Sequence, residues 1–203
     1  MSWLDRLRSD VALSHRLRPP PYGGSNQFLL ALRGELRSRG LRVSDGAGLR
    51  RARSVLLHSY LVDVEGPLRG RVVHRIDGPI SLYRGEDDGA DRRIVEINRS
   101  LAEQTILQSR YSLDAHRELG LELRNPVVIP NAVDPAIFHP PAEREPLAGR
   151  RVRVVATSWS DNPRKGGETY AWLARTIDRE RYELTFVGRA SVPVEAEHAP
   201  LSG

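Results

Sequence analysis

Apolar positions along the chain fall into short runs and staggered sets, and their alternation reads as strand, helix, strand throughout. Val11 to Leu13 is a short apolar run that predicts a first strand. Gln27 to Arg39 places Phe28, Leu29, Leu32 and Leu36 at three- and four-residue spacings, the mark of an amphipathic helix, and Gly40 stops it. Strand-type runs return at Ser54–His58, Tyr60–Val62 and Arg71–Ile76, the last closed by the turn Asp77-Gly78-Pro79. Asp91 to Ala102 predicts a helix with Ile94, Val95, Ile97, Asn98 and Leu101 inward. A strand at Thr105–Gln108 follows. Next come a helix at Arg110–Leu119, capped by Ser109 and ended at Gly120, and a strand at Val127–Pro130.

Asn131, Pro135, Pro140 and Pro141 then interrupt regular structure, and a fresh apolar run opens at Val152. Arg151–Thr157 predicts a strand, Thr169–Ile177 a helix, and Glu183–Val187 a second strand ending at Gly188. Past Gly188 the stretch RASVPVEAEHAPLSG predicts neither strand nor helix. Alternating strands and helices imply an α/β fold built on parallel sheets. The reading is one complete Rossmann-like domain over residues 1–141, a linker over 142–149, and the opening part of a second such domain over 150–203.

Composition narrows the class. The 203 residues are 39% hydrophobic, and no apolar run approaches the roughly 18 residues that span a bilayer. The start, MSWLDRLRSD, lacks the apolar core of a secretory signal, and the absence of cysteine rules out disulfides and thiolate metal sites. The expected location is cytoplasmic. Ser2 to Ser9 reads as a short amphipathic helix with Trp3, Leu4 and Leu7 on one side. It serves either as a lid on the first domain or as a weak peripheral contact with the inner face of a membrane. The net charge of +5 is carried mostly by arginine, scattered among acids except in RLRSD, LRRARS and GRRVR. None of these is interleaved with aromatics as single-strand binding requires, so nucleic acid is not an expected partner.

Candidate chemistry sits in the loops. Gly23 and Gly24 lie between the first strand and the first long helix, where free N–H groups and the positive end of the helix dipole can meet an anion. A plain turn would look the same. The pattern is not G-x-G-x-x-G, which counts against a nicotinamide enzyme. His58, His74 and Asp77 lie at the carboxyl ends of predicted strands, where ligands of open α/β sheets collect, although packed histidines are also common there. Lys165, beside Arg164, stands at the mouth of the Thr169–Ile177 helix. A cation there opposes the helix dipole and makes more sense with an anion between them.

The phrase QSRYS…G…VVIPNAVDPAIFHP resembles the end of the N-terminal domain in retaining, nucleotide-sugar-dependent glycosyltransferases of the two-domain GT-B type. These are the large family-four-like group that includes sucrose synthases and mannosyltransferases of cell-wall and lipid assembly. The likeness runs with gaps from about Val11 to Arg189, and its most specific part is the hinge phrase. It implies transfer of a hexosyl unit from a nucleotide diphosphate sugar to a sugar, glycan or glycolipid acceptor. It implies no metal and no cofactor besides that donor. By the same resemblance Gly23 and Gly24 allow close approach of the donor, and Lys165 with Arg164 holds its phosphates. Asp77 stands where many relatives have a donor-contacting histidine, with His74 three residues earlier, and these two would face the sugar or acceptor. Relatives usually carry an arginine about six positions before the lysine, where this chain has Trp159. They also carry a pair of glutamates about two helical turns apart, and Glu195 and Glu197 are too close together to match. The expectation is therefore a truncated glycosyltransferase, with a catalytically inactive binding or scaffold protein as the alternative.

Overall fold

The apolar runs of the first half become parallel strands: β1 (Val11–Leu13), β2 (Val43–Asp45), β3 (Ser54–His58), β4 (Arg71–Ile76), β5 (Gln104–Leu107) and β6 (Pro126–Val128). They form one six-stranded sheet in the order β2-β1-β3-β4-β5-β6. Helices α1 (Gly24–Ser38), α2 (Ile80–Arg84), α3 (Ala90–Leu101) and α4 (Arg110–Glu118) lie in the connections. The computed structural model describes residues 9–19, 23–46, 48–59, 67–133, 138–143, 149–159 and 161–199. The expected Ser2–Ser9 helix, apart from Ser9, the Tyr60–Val62 strand and part of the hinge phrase lie outside these. Two compact units emerge, residues 1–137 and 138–203, the division falling within the hinge phrase.

Side-chain alternation divides the first sheet's core between its faces. Ala12, Val55, Leu57 and Val72 pack with Ile97 and Leu101 of α3 on one face. Leu13, Leu56 and Val73 pack with Leu29, Leu32 and Leu36 of α1 on the other. A parallel sheet flanked by helices in this way is Rossmann-like. β1 pairs with both β2 and β3, so the chain reverses its direction of growth across the sheet at β1. That reversal is the place where such sheets open a crevice at their carboxyl ends.

In the first unit a short strand and a short helix lie outside the sequence reading. β2 is a three-residue edge strand whose exposure rises from buried Val43 to exposed Asp45, too short and too polar to show a period. α2 is a five-residue helix whose N-terminal amides are capped from outside: Asp91 accepts from Ile80 N at 2.6 Å and Ser81 N at 2.9 Å. Helix α1 begins at Gly24, ahead of the expected Gln27, which puts Gly24 inside the first helical turn.

The second unit carries β7 (Val152–Trp159), α5 (Gly167–Thr176), β8 (Tyr182–Arg189) and β9 (Glu197–Ala199). All pairings are parallel, in the order β7-β8-β9. Its core gathers Ala174, Leu184, Phe186 and Val194, with Tyr170, Leu173 and Ile177 against them. Strand β9 corrects the expectation of no strand beyond Gly188. Its sequence, Glu-His-Ala, has no apolar run, and main-chain pairing to β8 creates it. β8 is therefore a central strand, paired on both sides. Among the described residues, no helix is long and apolar enough to cross a membrane.

Candidate functional site

At the carboxyl edge of the first sheet, β3 ends in His58 and β4 in Arg75-Ile76 followed by Asp77. Residues 73 and 75 share the face that meets α1, so the Arg75 side chain lies between the sheet and α1 and is 4% exposed. A buried guanidinium must have acceptors. Arg75 finds Asp77 Oδ1 at 2.9 Å, His58 Nδ1 at 3.2 Å, Asn131 Oδ1 at 3.2 Å and Gln108 Oε1 at 3.3 Å. Its planar group also stacks over Phe28 of α1, 4.1 Å from the ring centroid. Asn131 in turn donates to Gln108 Oε1 at 2.8 Å. Arginine therefore ties together the ends of β3, β4 and β5 and the segment after β6.

A guanidinium only donates, so His58 Nδ1 must be an acceptor and the ring is neutral with its proton on Nε2. Burial, offset in part by the Asp77 carboxylate, pushes the His58 imidazole down to about 4. His15, just past β1, meets the His58 ring edge-on at 6.3 Å between centroids. Its Nε2 is buried without a hydrogen-bond partner, and burial, then Arg18, holds its pKa below the ordinary value.

The sign for stability follows. Between pH 6.5 and about 4 the unfolded chain protonates His58 and the folded unit does not. Stability should therefore be full above pH 6.5 and fall as pH drops towards 4, by roughly 3 kcal/mol in total from this group. His15 and His74 shift in the same direction and steepen the loss. Urea unfolding at a series of pH values measures the slope. Replacing His58 with asparagine, whose amide oxygen can accept from Arg75, should flatten it; an unchanged slope would locate the titration elsewhere.

Gly23 and Gly24 sit at the amino end of α1. Gly23 is the N-cap with φ 50° and ψ 151°, so the N-cap position itself offers no side-chain acceptor, and no acid occupies the first turn. Asn26 sets the loop. Buried at 2% exposure, it accepts from Arg18 N and donates to Arg18 O, both at 2.9 Å, closing the β1–α1 connection like a backbone pair. A Cβ built on Gly24 meets nothing within 4 Å, and its φ is not positive, so neither packing nor backbone geometry demands glycine there.

His74 points to the opposite face. It is wholly buried, with Nε2 bonded to Ser59 O at 2.8 Å and Nδ1 facing Asn98 Nδ2 at 3.3 Å. Asn98 also donates to Thr105 Oγ1 at 2.8 Å and accepts from Arg124 N at 2.8 Å. Both ring nitrogens thus serve a polar core network beneath α3. The structure joins Asp77 to Arg75 and His58, not to His74. The sequence reading passed over Arg75. Its available signal was an arginine inside a strand flanked by two other strands, where charge requires partners.

In the second unit, Asn162 Oδ1 accepts from Arg164 N at 2.9 Å and starts a 3-10 turn over Pro163–Lys165. Gly166, at φ 82°, then serves as N-cap of α5. Lys165 stands just before this N-cap. The first turn of α5 contains Glu168, which already complements the helix dipole, so the position of Lys165 does not by itself call for an anion. Gly167 packs on the loop after β8: a Cβ there would lie 2.4 Å from Ser191 Oγ. Among the described residues no group of three or more His, Asp or Glu side chains is arranged to hold a metal ion. No protein-family model and no curated protein matches the chain.

Proposed function

We propose that the chain is a glycosyltransferase, or part of one, of the retaining GT-B type. It would move a hexosyl unit from a nucleotide diphosphate sugar to a sugar, glycan or glycolipid acceptor. The observation that carries this reading is the amino end of α1, glycine-bearing at its N-cap, without an acid in its first turn, and beside the sheet's carboxyl edge. Its first-turn N–H groups and positive dipole end face the same edge of the sheet as His15, whose Nε2 is buried without a hydrogen-bond partner. The hinge phrase IPNAVDPAIFHP adds the resemblance.

In the reaction the bond from the anomeric carbon to the diphosphate breaks, and an acceptor oxygen takes its place on the same face of the sugar. The acceptor proton leaves with the diphosphate. The chain's contribution is fixed positive charge where negative charge develops. Gly23 and Gly24 let a ligand reach the main chain, while Lys165 and Arg164 are assigned to the donor phosphates. Asp77, fastened by Arg75, presents a carboxylate to a sugar hydroxyl; His74 supports the strand from the core.

The experiment is incubation with a panel of nucleotide sugars and detection of released nucleoside diphosphate. Release that depends on an added acceptor supports the reading. Binding without release would leave a non-catalytic binding protein. Lys165→Ala should weaken nucleoside diphosphate binding by about 1.5–3 kcal/mol, the worth of a charged hydrogen bond. Calorimetric titration checks this, and an unaltered Kd removes Lys165 from the site.

A further inference from the structure

At the amino end of the first sheet, opposite the edge just described, the arginine-rich stretch LRRARS forms one wall of a cleft. The cleft measures about 640 Å³ and is lined by Arg50, Arg51, Ala52, Arg53, Pro67 and Arg69. Its floor is set by the buried residues that flank the arginines. Leu49 and Ala52 are buried in the core at 6% and 4% exposure, so the 3-10 turn Leu49–Arg51 turns Arg50 and Arg51 outward. Gly70 brings the second wall close. A Cβ there would lie 2.4 Å from Ala52 O and 2.6 Å from Arg53 O, contacts that no side chain could make. The main chain closes the join, with Arg71 N donating to Arg53 O at 3.0 Å. Arg69 is thereby held across from Arg50, Arg51 and Arg53.

Four guanidinium groups around one cleft repel one another unless an anion joins them. Among the described residues, Asp10 is the one carboxylate paired with any of them. It meets Arg53 at 3.8 Å and is shared with Arg42 at 3.2 Å. Guanidinium forks match phosphate oxygens two at a time, and the volume falls in the range of small-molecule sites. Among the described residues no aromatic side chain lines the cleft, so these offer nothing on which bases could stack. We propose that this cleft is a binding site for a ligand bearing two or more phosphate groups, held by Arg50, Arg51, Arg53 and Arg69. The phosphates belong either to a soluble oligophosphate or to a lipid headgroup.

The test uses the full chain with two probes, inorganic tripolyphosphate and phosphatidylcholine vesicles doped with a phosphoinositide. A soluble ligand predicts saturable heat with tripolyphosphate and a raised thermal midpoint. A headgroup predicts co-sedimentation with doped vesicles and none with plain ones. In either arm the double variant Arg51→Gln, Arg69→Gln should weaken binding by about tenfold or more. Arg51→Lys with Arg69→Lys keeps the charge, loses the forks, and should also weaken it. The lysine pair serves as the test if the glutamine pair lowers the thermal midpoint. Failure of both probes to bind overturns the proposal. So does equal affinity in the lysine variant, or single-stranded DNA binding as tightly as tripolyphosphate at matched ionic strength, which would make the patch a general polyanion surface.

Discussion

Replacing Arg75 with methionine should destabilise the first unit by about 3 kcal/mol, at the low end of the cost of breaking a buried pair. Methionine fills similar volume and can lie against Phe28, so packing is largely kept and the loss is electrostatic. The orphaned groups decide the size of the effect. His58 Nδ1 loses its donor in a buried position, and Gln108 Oε1 keeps only the bond from Asn131. Asp77 is 36% exposed through its side chain and can recover water, which keeps the figure from rising further. Arg75→Lys should recover less than half of the loss. One ammonium cannot reach four acceptors in the plane that the guanidinium spans. Chemical denaturation of the first unit measures both variants. A change below about 0.5 kcal/mol for methionine would class Arg75 with ordinary surface arginines.

The strands at the centre of the first sheet were legible because they are short stretches rich in apolar and β-branched residues, bounded by polar residues or turns. Val11–Leu13, Ser54–His58 and Arg71–Ile76 begin and end where the sequence reading puts them. Ser109 was legible as a cap for the same local reason, and it accepts from Ser112 N at 3.0 Å. What escaped is what depends on partners distant in the chain. β2 and β9 are edge strands of three residues, made by pairing more than by pattern. Asp91 read as the start of a helix, yet its carboxylate caps a different helix eleven residues upstream. His74 and Arg75 are neighbours in sequence, and the pleat sends them to opposite faces. Sequence position put His74 and Asp77 together at a strand end, whereas the side chains pair Asp77 with Arg75.

The second expected result concerns Gly188, at the carboxyl end of β8. Its φ is 108°, which side-chain-bearing residues rarely adopt, and a Cβ built on it would lie 1.8 Å from Ser158 O in β7. The two strands are paired along their full lengths, with Ser158 opposite Gly188. The carbonyl cannot move aside without opening the ladder that joins β7 to β8. Gly188→Ala should therefore cost about 3 kcal/mol or more, from strained backbone and overpacking together. The second unit has one small core around Leu184 and Phe186 to offset that loss. Its whole sheet should open, not merely the strand end. The first unit has its own sheet and core and should be untouched. Amide exchange resolves the two outcomes, because protection should collapse over Val152–Arg189 and persist over Val11–Val128. Slow exchange preserved across β7 and β8 in the alanine variant would show that the strands separate at little cost. The close approach at Gly188 would then be a local turn and not the clasp of the second sheet.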